Sequence, residues 1–153
     1  MKELHIILFK QLETYRKEIL DSLNGISADA AEIVLNKFNN NIRWNMGHIY
    51  LDQYLWIEAL TKEKTEAPDI FRNWFSYDTT PVHFSAETPS YIELKKLLEE
   101  QPFKLMENYG HRLEEEYPPT EMGMRTIEQV LIRTIFHEGM HLQAINDIKK
   151  CLQ

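Results

Sequence analysis

An all-α four-helix bundle is the fold class this sequence predicts, and three observations predict it. Glycine and proline are scarce, 5 and 6 among 153 residues, so little interrupts a long element. Apolar residues recur every three or four positions over four long segments, the helical period. The links between those segments are one short, one long and one intermediate, which suits a bundle whose helices do not simply alternate in direction.

The first helix is expected over residues 2–23, where Leu4, Leu8, Leu12, Tyr15, Ile19 and Leu23 form one stripe and Asn24-Gly25 supplies a stop. The second is expected over 41–61, "NIRWNMGHIYLDQYLWIEALT", apolar almost all round at about 100° per residue. Only the line Gly47, Tyr54, Glu58 suits water, so this helix should lie deep. Residues 65–88, "TEAPDIFRNWFSYDTTPVHFSAET", hold two prolines and no sustained period. They form a long irregular connection between helices two and three, a feature that is uncommon and often functional. Its aromatics predict that it packs down onto the bundle. Helix three opens at Thr88-Pro89-Ser90, with Ser90 and Glu93 spaced for a capping box, and Pro102 should kink or split it. Helix four opens at Thr126, with Gln129 as reciprocal cap, and runs to about Cys151.

Length and composition fit one domain over 1–153: 43% hydrophobic and 27% charged, with one core. The net charge is −7, from 17 basic and 24 acidic residues, and no basic stripe forms. Binding to nucleic acid or to a polybasic-seeking membrane surface is therefore not expected. One cysteine, Cys151, and a charged, short apolar start point to a reducing, cytoplasmic setting.

The chemistry sits in the histidines. On helix four, His137, Glu138 and His141 fall within the apolar sector of Val130, Leu131, Thr134 and Ile145, and ionisable groups there are costly unless satisfied. His48 lies on the ridge Asn45, His48, Asp52 of helix two, where Asp52 is one turn beyond and placed to orient its ring. Three inward imidazoles on two helices match an open metal site. Core packing is the plainer alternative. Glu138 is open between proton carrier, ligand-orienting partner and buried acceptor. His5 and His111 read as structural or exposed, and His83 as a surface-loop residue. Ile132, Phe136 and Gly139 make a second strip on helix four, covered either by the long connection or by a second copy of the chain.

HEGMH, residues 137–141, also matches the H-E-x-x-H pattern of zinc proteases. That reading is the weakest. The twelve residues after His141 contain neither His nor Glu, and Ala144 stands where one protease pattern needs a helix-breaking glycine. The third ligand must come from upstream, and His48 is the best-placed candidate.

The segment "NNNIRWNMGHIYLDQYLW", followed by "HEGMHLQAI", resembles the DinB-like superfamily, which includes bacillithiol S-transferases and mycothiol-dependent maleylpyruvate isomerases. The resemblance implies an up-down-down-up bundle and a divalent metal held by His48, His137 and His141. It also implies a homodimer, and no DNA binding. The usual ending has glycine-glutamine where this chain has Gln143-Ala144, which leaves the ligands intact.

The expected activity is that of a metal-dependent enzyme, a thiol S-transferase-like protein or a hydrolase, acting on a small molecule. Zinc or nickel is the expected ion, a low-molecular-weight thiol the cosubstrate by analogy, and Glu138 or Asp52 the proton-holding carboxylate. The alternative is a non-enzymatic, dimeric metal- or ligand-binding module.

Overall fold

Helix-capping chemistry divides this chain at the positions where its periodic segments begin. A computed structural model describes residues 1–153, and its regular elements are all helical. They are α1 (Glu3–Ser22), α2 (Ala28–Glu32), α3 (Ile42–Thr61), α4 (Phe71–Phe75), α5 (Tyr91–Tyr109) and α6 (Ile127–Leu152), with a 3₁₀ turn at Pro81–His83. Asn41 caps α3 by accepting the Trp44 N–H. Ser90 and Glu93 cap α5 reciprocally, as Thr126 and Gln129 cap α6, so both expected capping boxes form. α1 is followed by Gly25 at φ +80°, a conformation that favours glycine.

The four long helices are those read from periodicity. α2 and α4 are additions, too short for a periodic signal. Contacts along α1 and α6 rise together, His5 beside Glu128 and Arg16 beside Glu138. Those between α3 and α6 run in opposite order, Asn45 to His141, His48 to His137 and Asp52 to Arg133. α3 and α5 again rise together, Arg43 to Pro89 and Gln101 to Tyr50. Hence α1 and α6 point one way, α3 and α5 the other.

Two expectations about helix faces are corrected. On α1, Leu8, Leu12, Ile19 and Leu23 are buried, but Leu4 and Tyr15 are exposed, and His5, Phe9 and Arg16 take the inner positions. The core face is thus rotated by about one residue from the expected stripe. On α3, Gly47 and Tyr54 are buried, not water-facing: Phe75 of the 65–88 connection covers Gly47, and Tyr54 packs edge-on against Tyr50. A Cβ on Gly47 would stand 2.2 Å from the Phe75 ring, so only glycine lets α4 seat there. Glu58 closes the same seam by accepting from Thr65 and Arg72.

Pro102 neither splits nor ends α5, which runs through it to Tyr109. Proline removes the N–H that the carbonyl of Leu98, four residues earlier, would accept. The buried Arg16 guanidinium donates to that carbonyl at 2.7 Å instead. The same guanidinium donates to Gln53 on α3 and Glu138 on α6. One buried cation therefore ties all four long helices together.

Candidate metal centre

His48 comes from the middle of α3, and His137 and His141 lie one turn apart on α6, which places two rings above each other. The antiparallel register of α3 and α6 brings the third ring to them. Nε2 of His137 lies 3.1 Å from Nε2 of His48 and 3.1 Å from Nε2 of His141.

The surroundings determine what those nitrogens present to one another. His48 Nδ1 lies 2.7 Å from the Phe75 carbonyl, which can only accept, so Nδ1 carries the hydrogen. His141 Nδ1 lies 2.8 Å from Asn45 Oδ1, and Asn45 Nδ2 donates to Asn40 and Asn41, so this oxygen is also an acceptor. His137 Nδ1 sits 3.1 Å from Asp52 Oδ2, obliquely enough that no hydrogen bond forms, yet the carboxylate favours the N–H there. All three Nε2 atoms then aim lone pairs at one region with no donor between them. Such convergence is unfavourable without a cation. Tetrahedral zinc with Zn–N of about 2.0–2.1 Å separates its nitrogens by about 3.3 Å, close to the observed spacing. The three residues fit a divalent ion.

Electrostatics agree with neutral rings. Burial first, then the neighbouring His48, holds His137 down to about 3 from an ordinary 6.5. His141 is also held down to about 3 by burial, with His48 and His137 adding to it. His48 is lowered by burial, with the Phe75 carbonyl opposing. Trp44 stacks on His48 with ring centroids 4.7 Å apart and planes within 9°.

The rings open onto a cleft of about 960 Å³ lined also by Trp44, Asp52, Trp56, Tyr77 and Arg133. Arg133 pairs with Asp52 and lies over the Trp56 ring. Asp52 was expected to orient His48; it lies instead against His137, and the Phe75 carbonyl orients His48. Glu138 is not part of the cleft. Its Oε1 is taken by Arg16 and it faces the bundle interior. His83 and His111 are exposed and away from the rings, whereas His5 is buried. Phe75, Asn45 and Arg133 were missed as site residues. Asn45 alone had a signal, an amide on the His48 ridge.

The architecture is that of an all-helical bundle with a histidine cluster able to hold metal between two of its long helices. The family model described as the DinB superfamily matches residues 11–145, and the chain belongs to that superfamily. No curated protein matches the chain. No helix is long and apolar enough to cross a membrane.

Proposed function

We propose that His48, His137 and His141 hold a divalent ion, zinc or nickel, and that the protein is an enzyme acting on a small molecule in the adjoining cleft. The observation that carries this reading is the convergence of three acceptor nitrogens whose hydrogens are all committed outward. When bound, the ion would supply Lewis acidity, lowering the pKa of a low-molecular-weight thiol or of water. Asp52 is the carboxylate placed to hold a proton, since it lines the cleft. Glu138, turned toward Arg16, is assigned a structural role. Arg133 offers positive charge to an anionic group, and Trp44, Trp56 and Tyr77 offer apolar walls.

The test is mass spectrometry of the zinc- or nickel-loaded protein supplied with thiols and a panel of small electrophiles. Thiol adducts or hydrolysis products, lost in His137→Ala, are expected. Neither class of product across the panel would contradict the enzymatic reading and favour a non-enzymatic module. Three protein donors with a cleft beside them favour chemistry over a closed structural site.

The same reading includes a homodimer. The long connection covers α3, not the outer strip of α6, so Ile132 and Phe136 stay 55% and 72% exposed, beside Met140. Phe136→Glu should shift the light-scattering mass to that of one chain. A wild-type mass of one chain would contradict the dimer.

A further inference from the structure

A second group of donors lies where the first turns of α1 and α6 meet, apart from the imidazole cluster between α3 and α6. His5 on α1 is only 5% exposed, and its Nε2 has no hydrogen-bond partner. That nitrogen faces Glu114 Oε1 at 3.7 Å and Glu128 Oε1 at 3.7 Å, and the three atoms all lie within 4.8 Å of one another. A separation of 3.7 Å is too long for a hydrogen bond. It is close to the spacing of two donors that share one cation at about 2.0–2.2 Å.

The chain builds this arrangement from three separate segments. Glu128 sits in the first turn of α6, and its N–H donates to the Leu113 carbonyl at 3.1 Å. That bond fixes the turn after α5 against α6 and so places Glu114 opposite His5. Glu114 Oε1 also accepts from Lys2 Nζ at 2.6 Å, an exposed contact that a stronger cation would displace. Glu114 is half exposed beside a surface cleft of about 980 Å³, which leaves an entry path to the buried ring. Glu128 and His137 are nine residues apart on α6, about 13 Å along the axis, so the two clusters cannot share one ion.

We propose that His5, Glu114 and Glu128 form a second divalent-cation site that clips the start of α1, the turn after α5 and the first turn of α6. One imidazole with two carboxylates is a harder donor set than three imidazoles and suits zinc or manganese. The binding step is ligation only: neutral His5 and two carboxylates coordinate the ion, and the Lys2 ammonium is released to water.

The probe is zinc, titrated calorimetrically into chelator-stripped full-length protein, with circular dichroism as a check on folding. His5→Ala and Glu114→Gln should each remove one equivalent of zinc or weaken it at least tenfold. Both should leave intact whatever equivalent His137→Ala removes. Glu114 is on the surface, so its glutamine variant keeps the test valid even if His5→Ala fails to fold. A shift of the His5 Nε2 resonance on zinc addition should accompany binding. Zinc binding identical in wild type, His5→Ala and Glu114→Gln would overturn the proposal, leaving the cluster as a buried histidine beside two carboxylates. Zinc binding lost in His5→Ala and Glu114→Gln but unchanged in His137→Ala would uphold this proposal and count against the imidazole site instead.

Discussion

His137 and Glu138 are neighbours on α6, both buried, and they solve the cost of burial in opposite ways. Glu138 meets Arg16, which also satisfies Gln53 and the Leu98 carbonyl that Pro102 leaves without a partner. Both bonds from Arg16 fall on Oε1, so the charges are paired within the chain, and only Oε2 is left buried without a partner. His137 meets two other rings, and every acceptor around the three faces their outer nitrogens. The inner nitrogens are left matched to a cation. Buried charge that is paired within the chain ties the helices together, whereas three acceptor nitrogens that converge with no donor between them distinguish the candidate site.

The largest expected effect breaks the closed hub. Glu138→Ala leaves the Arg16 charge buried and should cost about 3–5 kcal/mol in urea unfolding of metal-free protein. His141→Ala should cost much less under the same conditions. Arg16→Met with Glu138→Leu should recover only part of the loss, because the Leu98 carbonyl is orphaned again. Adding Pro102→Ala, which restores an N–H to that carbonyl, should recover more. Equal losses for Glu138→Ala and His141→Ala would remove the distinction between the two regions.

Next comes Gly47→Ala, which forces the Phe75 ring away from α3 and takes its carbonyl from His48. Overpacking of this kind costs about 1–3 kcal/mol, and zinc affinity should fall with it. Stability lost with unchanged zinc affinity would mean that the carbonyl does not position the ring.

Asp52→Asn and Asn45→Ala act at the outer nitrogens of His137 and His141, besides weakening the Asp52–Arg133 pair and removing the Asn45 bonds to Asn40 and Asn41. Each should weaken zinc binding by about 10–100-fold in competition titrations, with smaller changes in the metal-free fold.

A separate comparison uses pH. His137 and His141 are held down to about 3 in the fold, below the 6.5 of an unfolded histidine. Between those values the unfolded chain binds more protons, so stability present above pH 6.5 is lost as pH falls toward 3. The thermal midpoint of metal-free wild type should therefore fall over that window more steeply than that of His137→Ala/His141→Ala. Parallel curves would show that the rings are not held neutral.

Much of this was legible in the residues. The long helices carry the 3.6-residue period, and two of the caps have side chains at the required spacing. The three imidazoles stood out because ionisable groups fell on apolar faces. The hub was partly legible too, since Arg16 lies four residues after Leu12 and three before Ile19. Reading Tyr15 as the inner residue hid it, because aromatic character outweighs a cation in a periodicity argument. The Phe75 carbonyl had no sequence signal, as every residue has a carbonyl and only the seating of α4 on Gly47 selects this one. Glu138 shows the limit of angular reasoning. It shares a helix sector with His137, but which neighbouring helix it meets depends on the partner register.

The central claim is that His48, His137 and His141 act as one metal centre. Its most direct test is X-ray absorption of wild-type protein loaded with one equivalent of zinc, compared with zinc retention in His137→Ala after dialysis. The account predicts imidazole scattering from three rings at about 2.0–2.1 Å in wild type. It also predicts loss of the high-affinity equivalent in the variant. Retention of zinc unchanged by His137→Ala, or a wild-type spectrum without multiple imidazoles, would contradict it.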